Sequence, residues 1–402
     1  MPDATPALMG FAGIMRLLAS GTEIPELGPV LEARTERDPQ DANALLDLAT
    51  LLFLMLNTDY RKFAFERQER ALKLRRVYAL PAPAQTALRL TVLMAPGDMT
   101  ANTPVDCLLE GSDVAVTLVY VLPGEPLPRP LPEHDLVMVA VGESDDNQLL
   151  LQQLDVLGRL TAKPVVNAPA RIRLFKRDQV AAQLRGVPGI EMPATARIGR
   201  AALDAAARGE AALDSLVEEG RYPVILRPIG SHGGKDLEKI DNGEALSSYL
   251  GALPDQEFYL SNFIDYSGTD GQFRKFRVVM IAGRPYACHM AISTHWMIHY
   301  VNADMDASAA KRADEEAFMR DFDTAFAVRH AAALAAIQKA IGLDYYGIDC
   351  AETTDGKLLV FEADSAMIVH ATDDPAIYPY KPPCMQKLFA AFRAMLAAKA
   401  AQ

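Results

Sequence analysis

Two apolar runs, residues 346–352 and 357–363, flank the dipeptide Asp355-Gly356 late in a chain of 402 residues. An Asp-Gly pair between apolar runs marks a hairpin, because both residues tolerate the positive φ that a tight turn demands. The hairpin carries acids: Asp349 on its first strand, Glu362 and Asp364 at the end of its second. Glu362 and Asp364 are two residues apart and share one face of a strand. Asp349 falls within a residue or two of the position opposite them. Carboxylates that converge beside buried strands repel one another unless a cation neutralises them. Mg²⁺, with oxygen ligands and bridging phosphates, meets that need and makes Asp349, Glu362 and Asp364 candidate metal ligands. An exposed acidic hairpin end is the plainer alternative, and it fits less well because these acids sit inside apolar runs.

Ahead of this hairpin the pattern changes twice. Over residues 1–80 apolar residues recur at helical spacing, in 8–19, 25–34, 43–57 and 60–79, with no strand-like alternation. Paired helices of this kind are weakly similar to tetratricopeptide repeats, and an ordinary helical bundle serves equally well. A proline-bearing linker at 81–87 makes residues 1–80 separable from the rest of the chain, so a chain cut near Gln85 is expected to fold without them. From residue 88 to 187 strands and helices alternate, with strands at 88–94, 115–121, 135–141 and 164–167 and a helix at 146–160, the pattern of a parallel α/β sheet. Over 188–402, strands at 222–228, 257–264, 274–281 and 285–293 precede the hairpin, and helices are expected at 200–220, 243–251, 309–342 and 382–400. That is an α+β domain.

Composition narrows the partners. Half the residues are hydrophobic, so a sizeable core can be buried, and 52 acidic against 40 basic residues give a net charge of −12. That balance argues against nucleic acid or an anionic membrane as the main partner. The four cysteines form no CxxC pair, which fits a reducing compartment without disulfides. No run approaches the roughly 20 apolar residues of a membrane span, and the N-terminus lacks the charge pattern of a signal peptide. The expectation is a cytoplasmic protein.

Three further segments carry chemistry. In YPVILRPIGSHGGK, residues 222–235, a strand bearing Arg227 runs into a loop with Gly230, Ser231, Gly233 and Gly234, followed by Lys235. Glycines let backbone N–H groups approach an anion, and cations nearby neutralise phosphate. The spacing is not that of a P-loop, and His232 counts only as a loop residue. In FYLSNFID an apolar strand exits into Ser261, Asn262, Phe263, Ile264 and Asp265, which could grip a flat base by its edge. Between Gly268 and Tyr300, Arg274, Lys275 and Arg277 share a strand on which Lys275 is expected to point away from the other two or to sit at a bulge. His289, His295, Trp296, His299 and Asn302 cluster after it as candidate substrate contacts. His295 and His299 have the i, i+4 spacing of zinc ligands on a helix, with no third ligand at a recognisable spacing.

In chain order, the glycine-loop segment 222–235, FYLSNFID and the acidic hairpin resemble the ATP-grasp superfamily, and within it the RimK-like and glutathione-synthetase-like branch, over residues 88–402. The resemblance implies an α/β pre-ATP-grasp domain followed by an ATP-grasp domain that binds ATP and Mg²⁺. VILRPIGSHGGK looks like the phosphate strand and glycine loop, YLSNFID like the adenine hinge, and IDCAE with FEAD like the paired metal strands. Arg277 falls where a phosphate-contacting Arg is expected, with Arg274 beside it. Four positions depart from the family pattern: Arg227 stands for Lys, Gln179 for the Lys of an Asp-Lys pair, Asn262 for an acid and Asp364 for Asn. Lys176 or Arg177 is placed to compensate for Gln179. The implied activity is that of an ADP-forming carboxylate–amine ligase, in which ATP phosphorylates a carboxylate and an amine attacks the acyl phosphate. Phosphotransfer to a small molecule, or a nucleotide-responsive module without catalysis, are the alternatives. The N-terminal helices are expected to dock a protein partner or a second copy.

Overall fold

The computed structural model describes residues 6–55, 58–231, 233–299 and 302–402. The fold is mixed α/β with three sheets, and four helices precede the first strand. The chain divides into two compact units, one of Met1–Arg173, Leu343–Tyr346 and Asp364–Gln402, the other of Leu174–Gly342 and Gly347–Ala363. The expected boundaries at 80/88 and 187/188 do not coincide with this division.

In the first unit, helices α1 (Gly10–Ala19), α2 (Ile24–Arg37), α3 (Ala42–Leu54) and α4 (Thr58–Leu74) lead into strands β1 (Val77–Ala79), β2 (Leu88–Met94), β3 (Val114–Tyr120), β4 (Leu136–Val139) and β5 (Val165–Val166). The strand order is β1-β3-β2-β4-β5. β2 to β5 run parallel, and β1 joins antiparallel on β3. β4, four apolar residues in a row, is buried throughout, as a parallel strand covered on both faces must be. β1 lies inside the stretch expected to be all helix. Three residues are too few to display alternation, and only Tyr78 among them is buried.

The helices are built into this unit rather than appended to it. The Asp47 carboxylate, in α3, accepts from the amides of Met9 and Gly10, each at 3.0 Å, and Asp106 accepts from Ala12 at 2.8 Å. Two acids thus close the N-terminus of α1, where amides without intrahelical partners and the helix dipole favour negative charge. Asp106 lies beyond the linker, so the separability expected from sequence meets a direct tie across it. The C-terminal helix Lys381–Ala400 belongs to the same unit: Arg393 pairs with Asp113 at 2.7 Å, and Phe392 packs edge-on against Tyr345 with ring centres 5.1 Å apart.

The second unit holds β6 (Ile190–Glu191), β7 (Thr195–Gly199), β8 (Val224–Pro228), β9 (Glu238–Ile240), β10 (Glu257–Asn262), β11 (Phe273–Ile281) and β12 (Arg284–Ser293), with most of β13 (Tyr345–Glu352) and β14 (Leu358–Asp364). One sheet has the order β7-β10-β8-β9 and the other β12-β11-β13-β14-β6. Helices Arg200–Ala207 and Gly243–Ala252 cover the first sheet through a core of Leu203, Leu246, Leu250, Val224, Leu226, Phe258 and Leu260. Side chains alternate along a strand, so Arg227 on β8 and its register partner Tyr259 on β10 occupy the opposite face. β6, β7 and β9 escape the sequence reading because each is short and none shows an apolar run. The single helix expected over 309–342 is three, Ala309–Asp321, Phe326–Arg329 and Ala331–Ile341. The expected 200–220 helix stops at Ala207, and Gly209 follows with φ +74°.

Candidate active site

The candidate site residues of the second unit include a buried guanidinium. Arg227 is 8 % exposed. Its Nε donates to the Ser231 hydroxyl at 3.1 Å and its Nη2 to the Ser231 carbonyl. No carboxylate lies within hydrogen-bonding distance of it among the described residues. Burial, and next the charge of Arg177, pull its pKa down to about 9. A buried cation without an anion is costly, and an anionic ligand relieves the cost.

The loop after β8 is shaped for close approach. Gly230, Gly233 and Gly234 have φ of +76°, +62° and +77°, a backbone region that disfavours side chains. A Cβ on Gly234 would lie 3.2 Å from the Met297 sulfur, and one on Gly233 3.9 Å from His299 Nε2. The glycines therefore let the loop lie against the 297–299 segment. Ser231 serves Arg227, and Lys235 is exposed on the loop. His232 lies outside the described residues.

Across the hairpin the acids are paired off. Arg277 grips Asp349 with Nε to Oδ1 at 2.7 Å and Nη2 to Oδ2 at 3.0 Å, and Lys275 Nζ reaches Oδ2 at 3.0 Å. Burial alone would raise the Asp349 pKa, but the two cations outweigh it and hold the carboxyl well below its usual range. Glu362 is held by Arg177, which opposes the same burial penalty. Asp364 closes β14, and its Oδ1 accepts from the Ala366 amide at 2.8 Å. No three His, Cys, Asp or Glu side chains gather at metal-binding spacing among the described residues. The three-carboxylate metal site expected from sequence is thus not formed. Buried Asp349 and half-buried Glu362 each find a guanidinium or ammonium instead, and a fixed cation within reach removes the repulsion that a metal would otherwise have to remove. As arranged, these residues do not fit Mg²⁺.

Lys275 and Arg277 lie two apart on β11 and face the same carboxylate, against the expectation that Lys275 points away. Arg274 is the one that diverges: it pairs with Asp270 at 2.7 Å and Asp314 at 3.4 Å on an exposed surface. The bulge falls after Arg277, where the register with β12 shifts. Arg177, named from sequence only as a substitute for Gln179, pairs directly with Glu362.

The candidate substrate residues separate. His299 feels this site: partial desolvation, then the charges of Lys275 and Arg277, lower its pKa, although its side chain remains exposed. His289 is the register partner of Arg277 on β12. Trp296 packs instead on the hinge, edge-on to Phe263 at 5.9 Å, and its carbonyl accepts from Tyr266. His295 is exposed, and its Nδ1 accepts from the Met297 amide at 3.2 Å. Asn302 Oδ1 accepts from the His299 amide at 2.9 Å. Residues 294–297 are bends, not helix, so the i, i+4 zinc geometry of His295 and His299 does not arise. Thr353, in the hairpin turn, and Gly356 (φ +80°) close β13 onto β14, and of the Asp-Gly pair only the glycine takes the positive φ.

In the hinge, Ser261 meets Thr195 at 2.9 Å, the Asn262 amide donates to the Ala194 carbonyl, and Asp265 accepts from Ser267. Asn262 and Ile264 line a cleft of about 600 Å³ whose other walls are residues 185–194, Glu218, Glu219 and Lys357. Asn262 Oδ1 is buried and has no hydrogen-bond partner. Lys239 lies over the Phe263 ring, 5.0 Å from its centre.

No protein-family model matches the sequence, and no curated protein matches it. Among solved structures the chain is similar to the VanG D-Ala:D-Ser ligase of Enterococcus faecalis, at 14% identity over 78% of this chain and 100% of that one, with a TM-score of 0.48. It is similar to the D-alanine–D-alanine ligase of Bacillus anthracis complexed with ATP, at 14% identity over 78% and 97% of the two chains, with a TM-score of 0.46. The RimK domain ATP-grasp protein of Sphaerobacter thermophilus overlaps at 18% identity over 78% and 100%, with a TM-score of 0.41. No described helix is long and apolar enough to cross a membrane.

Proposed function

We propose that the second unit binds ATP and that the protein is an ATP-dependent carboxylate–amine ligase of ATP-grasp type. The observation that carries the reading is Arg227, a buried guanidinium without a carboxylate partner at the root of a three-glycine loop. A polyphosphate supplies the missing anion. Arg177, Lys275 and Arg277 belong to the same electrostatic cluster, since Glu362 feels the charges of Arg177, Arg227 and Lys275, and Arg277 that of Glu362. The hinge offers the base a seat: the unpartnered Asn262 Oδ1 can accept from an exocyclic amino group, and Ile264 supplies an apolar wall.

Such a site can run acyl activation without a protein nucleophile. The substrate carboxylate attacks the γ-phosphorus, ADP leaves, and the amine nitrogen attacks the acyl phosphate, releasing inorganic phosphate and one proton. The protein positions the reactants and stabilises charge that builds on the transferred phosphoryl group, the part suited to Arg277 and Arg227. His299, near these cations, is a candidate contact for the amine substrate.

The test is product analysis with ATP and pooled carboxylates and amines. The reading expects ADP and inorganic phosphate only when both acid and amine are present. A stable phosphorylated product formed without amine means a kinase on the same scaffold, and AMP with pyrophosphate contradicts both.

A further inference from the structure

Asp349 and Glu362 are each held by a fixed cation, which bears on how a nucleotide is neutralised. Asp349, 2 % exposed, has Oδ1 engaged by Arg277 and Oδ2 by both Arg277 and Lys275. Glu362 is engaged by Arg177. To ligate a divalent ion, Asp349 would have to share oxygens that already accept three charge-assisted hydrogen bonds, with two fixed cations held against the incoming one. Mg²⁺ would also have to shed tightly held water in exchange. Four cations of the second unit, Arg177, Arg227, Lys275 and Arg277, stand beside Asp349 and Glu362. One of the four, Arg227, is buried with no carboxylate of its own.

We propose that this site takes the nucleoside triphosphate as a metal-free polyanion, with Arg227 and the Arg277–Lys275 pair neutralising the phosphates in place of a divalent ion. The proposal rests on the reading of the unit as an ATP site. Lys275 is its most specific element. It adds a second cation to an Asp349 already gripped by both arms of Arg277, so the Arg277–Asp349–Lys275 group keeps a net positive charge facing the ligand. Arg277 alone would leave the pair neutral.

The test is calorimetric titration of the full-length protein with ATP, once with excess EDTA and once with saturating Mg²⁺. Affinity in EDTA within threefold of that in Mg²⁺, or tighter, is the expected result. Binding at least tenfold weaker in EDTA overturns the proposal and leaves the ATP reading standing. Absence of binding under both conditions overturns the ATP reading itself. Lys275→Gln, checked for fold by circular dichroism, is expected to weaken binding in EDTA at least tenfold, and Lys275→Arg to stay within threefold of wild type. A Lys275→Gln protein that binds in EDTA as wild type does would remove Lys275 from the neutralising set.

Discussion

Asp349 and Arg277 form an ion pair with two hydrogen bonds, and its energetics are measurable. Removing one partner strands a buried charge, which costs about 3–5 kcal/mol. Arg277→Ala and Asp349→Ala are each expected to destabilise by that order in urea unfolding, and the double variant by clearly less than their sum. Simple additivity would mean that the pair does not couple. The pH dependence has a definite sign. Asp349 is held below its unfolded value near 3.8, so its contribution is present above that pH and is lost as pH falls further. At this scale the sequence was readable where residue type alone carried the chemistry. Arg227 beside glycines and Asp349 and Glu362 inside apolar runs were recognisable as chemistry-bearing positions. The partners were less readable. Lys275 and Arg277 share a face by simple period two, and Arg274, three residues from Arg277, does not. The Arg177–Glu362 pair spans 185 residues, and no local pattern encodes it.

At the level of elements, the glycine loop and the N-terminal cap of α1 make separate predictions. Gly234→Ala places a Cβ at positive φ and 3.2 Å from Met297 Sδ, so it should cost about 1–2 kcal/mol and weaken ATP binding. Thermal unfolding and titration of this variant check both, and wild-type values would mean that the loop tolerates a side chain there. Asp47 behaves oppositely to Asp349. Burial, the largest influence, raises its pKa to about 7 despite the Met9 and Gly10 amides, so folding favours its neutral form. Its contribution is complete below about pH 4 and declines as pH rises through 7. Three pH units correspond to about 4 kcal/mol at most. The stability deficit of Asp47→Asn relative to wild type should therefore shrink between about pH 4 and 7 in denaturant titrations, and a constant deficit would contradict the assignment. Long, periodic elements such as β11, β12 and the C-terminal helix were legible from sequence. Three-residue strands were not, because their existence is decided by a neighbour's edge. The 295–299 segment has helical spacing but packs on Phe263 and the glycine loop, and tertiary contact overrides the local pattern.

For the whole molecule, the N-terminal helices α1 to α4 and strand β1 are structural. Leu8, Ile14, Leu31, Leu45 and Leu51 are buried, β1 completes an edge of the first sheet, and Asp106 depends on α1. A chain starting near Gln85 is therefore expected to aggregate or to lose cooperative unfolding in size-exclusion and thermal-shift assays, contrary to what the proline-bearing linker suggests. A monodisperse truncation of wild-type stability would restore the separable reading. The linker's composition was legible in the sequence, but the tie between Asp106 and the Ala12 amide was not, since it joins residues 94 apart. The proposed function turns on whether Arg227 seats a phosphate. Titration of full-length wild type, Arg227→Ala and Arg227→Lys with ATP measures this directly. Loss of the guanidinium should weaken binding by roughly 10- to 100-fold, about 1.4–2.8 kcal/mol, with Lys restoring most of it, whereas equal ATP affinity in wild type and Arg227→Ala would contradict the site.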